Sequence, residues 1–241
     1  MRLVGDIKPV ESLSQVQKQR MFELLKVYFE GSDADIFSKD LAEKQWVILL
    51  LDSVDGSVQG FSTQMLLECV VDSQPVKALF SGDTIINRNY WGEHELAKQW
   101  LRLVEQLLAL YPQERLYWFL ISKGYKTYRF LPVYFKKFYP CYDRQTPEFE
   151  RQIMDALGYL KYPDSYSMND GVIHFSQDAT YLKKGVADVD ENRLKNPHIR
   201  FFVERNPLYW KGDELVCLAE ISYGNFNPSV FKMKAVVSKQ L

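Results

Sequence analysis

Residues 81–94 read SGDTIINRNYWGEH and lie between an apolar segment and a long amphipathic run. A strand that enters a helix through a turn carrying Arg88, Asn89 and Gly92 aims free backbone N–H groups and the positive helix end at one point. Such a point suits an anion. Arg88 adds a guanidinium able to form paired hydrogen bonds with a phosphate. Glu93 and Glu95 pull the other way, because acidic residues in a first helical turn complement the dipole of an ordinary surface helix and repel a phosphate. A plain strand-to-helix turn is therefore the competing reading of Arg88–His94. A second group, Lys123, Lys126, Arg129, Lys136 and Lys137, alternates with Tyr125, Tyr128, Phe130 and Tyr134. That interleaving suits a phosphorylated ligand, an acyl-carrier protein or single-stranded nucleic acid, and equally a solvated helix face of snorkelling lysines.

The elements that must position these groups are read from periodicity. Val10–Phe29 has mostly helical apolar spacing, with Ser12 or Ser14 as a cap, and Asp33 opens a second helix over Ala34–Glu43. Gln45–Asp52 is a continuous apolar run too short for a buried helix, so it reads as a buried strand. Asp55-Gly56 is a hairpin signal leading into a strand over Ser57–Cys69. After a polar break at Asp72–Pro75, a third strand covers Val76–Phe80 and Thr84–Ile86, with a bulge at Gly82. Gly92–Leu110 is a strongly amphipathic helix closed by Pro112, and Arg115–Ser122 is a buried strand placed to run parallel to the one before that helix. Tyr125–Tyr139 is helical in composition but holds Pro132. Further on, the spacing predicts a helix over Pro147–Leu160, a short strand over Gly171–Ser176, a helix over Asp188–Glu204 broken at Pro197, and a strand over Glu214–Ile221.

The 241 residues can bury a full core. Thirty basic against thirty-one acidic residues leave a net charge of −1, so any anion site is local and a nucleic-acid-binding module is disfavoured. Fifteen Tyr, fifteen Phe and five Trp supply core and, in a minority, pocket walls. Cys69, Cys141 and Cys217 are widely spaced with no matching histidines, which fits reduced thiols and no metal site. His174 and His198 have no partner at ligand spacing and are assigned to structure. No stretch has signal-peptide or membrane-span length, so the expected setting is the cytoplasm, with no membrane association.

The order helix, helix, three strands, helix, strand, helix, late strands resembles that of the GCN5-related N-acetyltransferase superfamily over about residues 10–140. In that superfamily the loop before the third helix carries a [QR]xxGx[GA] signature for the pyrophosphate of acyl-CoA. Asn89-Tyr90-Trp91-Gly92-Glu93-His94 is similar to it: Gly92 is kept, Asn89 stands for Gln or Arg, and His94 replaces a small residue. Val133–Tyr139 is similar to the family's LYEKLGF stretch, with Tyr134 at the position of the tyrosine that protonates the departing thiolate. The resemblance implies an α+β fold of the acyl-CoA N-acyltransferase type, a mixed, mostly antiparallel sheet flanked by helices. Residues 1–145 would form the core, and 146–241 a C-terminal extension that completes the same domain with a helical insertion.

The resemblance further implies transfer of an acyl group from acyl-CoA, as co-substrate, or another thioester to an amine by direct attack. Arg88 and the segment Asn89, Tyr90, Trp91, Gly92, Glu93 and His94 would hold the cofactor, and Tyr134 would serve as acid. A backbone N–H of the strand before the third helix would meet the thioester oxygen. Asp83, with Glu93 or His94, is the nearest ionisable candidate for the base. His94 alone reads as a surface or packing residue, and Tyr134 among so many rings also suits a core role. A small-molecule acceptor or an acyl-carrier protein are the partners considered, and the rival reading is a non-catalytic ligand- or partner-binding protein of the same fold.

Overall fold

The computed structural model describes residues 2–175, 180–228 and 230. An eight-stranded sheet carries the chain, in the order β1-β3-β4-β5-β6-β10-β8-β7. Its members are β1 (Leu3–Pro9), β3 (Trp46–Asp52), β4 (Val58–Val71), β5 (Gln74–Ile86), β6 (Arg115–Ser122), β7 (Tyr166–Ser167), β8 (Val172–Ile173) and β10 (Glu214–Glu220). Every pairing is antiparallel except β5 with β6. A separate two-residue ladder joins β2 (Phe29–Glu30) to β9 (Tyr181–Leu182). The expected α+β class with a mixed, mostly antiparallel sheet is what the chain adopts.

Helices cover both faces. On one face lie α3 (Glu95–Leu110), α4 (Tyr125–Tyr128), α5 (Phe130–Tyr134) and α8 (Pro197–Arg205), packed over Ile48, Leu50, Leu79 and Trp118. On the other, α1 (Gln15–Tyr28) and α2 (Ala34–Ala42) cover Val47, Leu49, Phe61 and Ile85, and α6 (Glu148–Lys161) covers Phe80, Phe119 and Leu218. Burial on both faces is why Trp46–Asp52 is an unbroken apolar run rather than an alternating one. α7 (Glu191–Leu194) precedes Pro197, which occupies the first turn of α8, where a missing N–H costs nothing.

Several boundaries differ from the sequence reading. Helix α1 starts at Gln15, held by a capping box between Ser14 and Gln17, and Val10–Ser12 is a short 3-10 turn. The strand β1 had no sequence signal, since LVGDIKP is only partly buried and carries a glycine, two charged residues and a proline. It is placed by α3: Glu95 Oε1 accepts the Gly5 N–H at 3.1 Å, and a Cβ on Gly5 would lie 2.3 Å from Gln99. The third strand is one piece, Gln74–Ile86, entered through a tight turn in which Asp72 and Ser73 both have positive φ (47° and 61°). Tyr125–Tyr139 is helical only as α4 and α5, and the chain then extends, bridging Phe135 to Phe226 and Tyr139 to Leu218. Ser176, the end of the expected Gly171–Ser176 strand, lies outside the described residues.

Candidate active site

The site begins where two parallel strands part. β5 and β6 pair from Val76↔Arg115 to Ser81↔Leu120 and no further. Beyond that point β5 stays on β4, with Thr84 opposite Ser62, whereas Ile121 and Ser122 of β6 face Val216 and Leu215 of β10. The cause is one extra residue. Between Gln64↔Ser81 and Ser62↔Thr84, β4 advances by two residues and β5 by three, a bulge at Gly82-Asp83 that turns β5 away. Glycine is required there, because a Cβ on Gly82 would lie 2.6 Å from Thr63 Oγ1.

A buried polar chain holds the bulge. Trp118 Nε1 donates to Ser81 Oγ (2.8 Å), Ser81 to Gln64 Oε1 (2.8 Å), and Gln64 Nε2 to Ser62 Oγ (2.7 Å), which pairs with Thr84 Oγ1 (2.7 Å). Past the bulge, Asn87 N–H bonds to Gln59 O at 2.7 Å. By strand alternation Ile85 then also faces β4, and the N–H groups of Thr84 and Ile86 face the gap that β6 has left.

On the α3 face the gap opens into a groove of about 480 Å³. Thr84 and Ile86 line one side, Gly124 and Thr127 the other, with Trp91–His94 at one end and Leu182, Val186 and Ala187 closing over it. Trp91, Gly92, Glu93 and His94, named from the sequence as cofactor contacts, all lie in the groove lining. Gly92 has φ +100°, which a side chain would strain. His94 caps α3 with no side-chain hydrogen bond, so the first-turn amides have no side-chain partner from the cap.

The electrostatics differ from the reading of the sequence in one respect. Glu95 turns inward to the Gly5 N–H, Gln99 (2.7 Å) and Lys98 (3.4 Å), so it does not confront the groove, whereas Glu93 does line it. Arg88 is exposed and stacks on Trp91 (5.3 Å), and Lys126 Nζ lies 4.1 Å from the same ring. Neither cation has an ion-pair partner among the described residues. Burial lowers the Lys126 pKa first, and the positive charges of Arg193 and Arg88 lower it further. Two cations that repel each other at a groove mouth are stabilised by an anion between them.

Tyr134 forms part of the groove wall, stacked between Phe130 (5.7 Å) and the Trp100–Trp118 pair (6.0 and 6.3 Å). Burial pushes its phenol up to about 12, so it keeps its proton at neutral pH and can donate it. Behind it lies a small cavity of about 30 Å³ bounded by Trp100, Trp118 and Leu120.

On the opposite face the same gap opens into a second pocket of about 240 Å³, walled by Phe29, Phe37, Phe80, Tyr162 and Phe175 and carrying Asp83. The two cavities share Phe29, Thr84, Lys123 and Thr127 and so adjoin at the split. Burial pushes Asp83 up to about 6, helped by Asp40 and Glu214 and opposed by Lys123 and Lys44. Glu214 is also raised, chiefly by burial, although Lys123 Nζ lies 3.2 Å from it.

Three residues anticipated for the cofactor stand apart from the groove lining. Arg88 reaches it only through Trp91, Asn89 is exposed with its N–H on Asn87 Oδ1 (3.2 Å), and Tyr90 is buried with its hydroxyl bonded to Asp52. Tyr90 is thus a core anchor for the turn. Of the basic-aromatic cluster, Lys123 and Lys126 face the cavities, whereas Lys136 Nζ is spent on the Gly224 carbonyl (2.8 Å). Tyr28, Leu182, Val186 and Ala187 had no sequence signal, since they are brought to the groove by the β2–β9 ladder, a pairing of residues about 150 positions apart. His174 and His198 are structural as expected: His174 bridges Asp213 (2.6 Å) and Asp170 (3.0 Å), and His198 packs on Tyr142 and Phe138.

No protein-family model matches the chain, and no curated protein matches it. Among solved structures it is similar to a conserved Enterococcus faecalis V583 protein described as a probable N-acyltransferase (17% identity, TM-score 0.41, 56% of this chain and 33% of that one). It is also similar to a GNAT family N-acetyltransferase from Escherichia coli in complex with CoA (11%, 0.38, 51% and 64%). A third is glucosamine-6-phosphate N-acetyltransferase from Arabidopsis thaliana (14%, 0.34, 44% and 76%). The chain thus spans a third of the first and just under two thirds of the second. Among the described residues no helix is long and apolar enough to cross a membrane. By its own strand order, its parallel β5–β6 pair and the bulge that splits it, the chain has an acyl-CoA N-acyltransferase-like fold.

Proposed function

We propose that the protein is an N-acyltransferase that moves an acyl group from acyl-CoA, or a related acyl thioester, to an amine. One observation carries this reading: the two cavities on opposite faces of the sheet adjoin at the split between β5 and β6, where Thr84 of β5 lines both. A donor laid along one face and an acceptor along the other would be brought together there.

The groove fits the donor. Gly92, His94 and the first turn of α3 offer backbone N–H groups to a pyrophosphate, those of Trp91 and Glu93 being donated to the Arg88 and Tyr90 carbonyls (3.2 and 3.1 Å), with Arg88 and Lys126 as its charged partners and Glu93 as the group in that wall that opposes it. The thioester supplies an activated carbonyl and a good leaving group. The N–H groups of Thr84 and Ile86 are placed to receive the developing negative charge on its oxygen. Tyr134 returns a proton to the departing sulfur, and Asp83 on the far side takes one from the incoming nitrogen. An acyl-carrier protein could present the same thioester arm to the same mouth. Residues 146–241 complete the domain, closing the groove through Leu182, Val186 and Ala187 and adding β10 to the sheet.

Titration calorimetry with acetyl-CoA, octanoyl-CoA and free CoA tests the donor. Binding on the order of micromolar Kd, weakened about tenfold or more in the double variant Arg88→Ala/Lys126→Ala and at high salt, is the expected result. No heat at millimolar CoA ligand sinks it.

A further inference from the structure

The chemistry of the second pocket says what kind of acceptor it takes, an inference that rests on the acyl-transfer reading for its catalytic part only. Its acidic lining residues are Asp33, Asp40, Asp83 and Glu214, against one cation, Lys123. Asp40 is answered by Lys44 Nζ at 2.6 Å and Lys161 Nζ at 3.7 Å, and Glu214 by Lys123 at 3.2 Å. Asp83 has no hydrogen bond or ion pair among the described residues, although it sits in the wall where the two cavities meet. Ser32 Oγ is buried in the same lining, also without a partner among the described residues.

The rings of this pocket already hold ammonium groups. Lys123 Nζ lies 5.3 Å from the Phe175 ring and 5.7 Å from Phe29, Lys44 Nζ 5.8 Å from Phe80, and Lys161 Nζ 5.4 Å from Tyr162. Each of these lysines is matched to a carboxylate at the same time. The chain's own side chains thus display the arrangement that satisfies a primary ammonium here: an aromatic face on one side and a carboxylate on the other. Asp33 has no lysine either, but its Oδ1 caps α2 by accepting the Asp35 and Ile36 N–H groups (2.9 and 3.0 Å), so Asp83 is the carboxylate of the lining with neither an ammonium nor a hydrogen-bond donor among the described residues. A negatively charged ligand group would meet an uncompensated acid with no free cation to answer it.

We propose that the acceptor is a compact primary amine with an apolar body and no carboxylate of its own, its ammonium seated on Asp83 among Phe29, Phe80 and Phe175. The volume of about 240 Å³ is below that of drug-sized pockets and suits an aralkyl or short alkyl amine. In the transfer step Asp83 takes one proton from the ammonium, and the freed nitrogen lone pair attacks the thioester carbon. A C–N bond forms and the C–S bond breaks. Of the three ammonium protons one stays on the amide nitrogen, one reaches the sulfur by way of Tyr134, and one leaves to solvent through Asp83.

The test separates the pocket from the chemistry. The whole chain is titrated in a calorimeter at pH 7.5, with no CoA ligand present, against 2-phenylethylamine and 3-phenylpropionate, which share a ring and differ in head-group charge. The expected result is binding of the amine at least about tenfold tighter than the carboxylate, with that preference abolished in Asp83→Asn. Equal binding of the two probes by the unaltered protein, no detectable amine binding, or an Asp83→Asn variant that folds and keeps the preference overturns the proposal. Thiol release is then followed with acetyl-CoA and octanoyl-CoA. Preference for phenylalanine over phenylethylamine overturns the acceptor class with transfer intact, whereas selective amine binding without thiol release from either thioester overturns transfer and leaves the pocket assignment standing.

Discussion

Replacing Asp83 by Asn should make the protein more stable and less active, and the stability gain should depend on pH in a defined direction. Folding raises the Asp83 pKa from the ordinary 3.8 to about 6, mainly because burial disfavours the charged form. A carboxyl raised on folding adds stability while it is protonated, below about pH 4, and loses that contribution as pH rises through about 6. At pH 8 the folded protein therefore carries an ionised Asp83 at a cost of about 3 kcal/mol, two units at about 1.4 each. The pocket opens to solvent on one side, which reduces this to about 1.5–3 kcal/mol. Asn has the same shape and no charge to desolvate, so Asp83→Asn should unfold about 3–12 °C higher than the unaltered protein at pH 8, from about 2–4 °C per kcal/mol at this size. The advantage should shrink through pH 6 and vanish near pH 4. Thermal melts followed by circular dichroism at pH 8, 6 and 4 measure it. Equal stability at pH 8, or an advantage that does not change with pH, would show that Asp83 is solvated like a surface carboxylate and is not the buried, unpartnered group described above. In an acyl-transfer assay the unaltered protein should lose kcat/KM about tenfold per unit below pH 6, as Asp83 protonates, and the variant should lack that limb.

Tyr134→Phe keeps the stacking on Trp100 and Phe130 and removes only the proton donor. It should lower kcat about 10²-fold in a thiol-release assay, with acetyl-CoA affinity held within about twofold by calorimetry. An unchanged kcat would leave Tyr134 as a wall residue. Gly158→Ala tests the packing of α6, because its Cβ would lie 2.7 Å from the ring of Tyr166, which is buried and tied to Asp155 (2.6 Å). The overpacking cost of about 1–3 kcal/mol should exceed the gain of about 1 kcal/mol in helix propensity, so urea unfolding should show a net loss.

Elements whose stability is local or whose burial is two-sided were legible in one dimension. The apolar run Trp46–Asp52, the stripe of α3, the Pro197 break and the strand Glu214–Glu220 each carry a period or a run that only one type of structure can bury. The same holds for the bulge at Gly82 and the turn at Gly92, because backbone demands are short-range properties. What the chain order could not state is which surfaces meet. β1 is a strand because α3 presses Glu95 and Gln99 against Gly5, and that contact also removes Glu95 from the groove where its sequence position put it. Tyr90, inside the phosphate-loop motif, is drawn into the core by Asp52 of another strand. The groove's roof comes from Tyr181–Leu182 paired with Phe29–Glu30, and the second pocket joins α2, β5, β6 and β10. Charge balance in that pocket is likewise a tertiary property: four acids scattered over about 180 residues look unremarkable in the chain, and only the pairing of Asp40 and Glu214 with three lysines, with Asp33 spent on its own helix cap, leaves Asp83 as the carboxylate without a partner among the described residues.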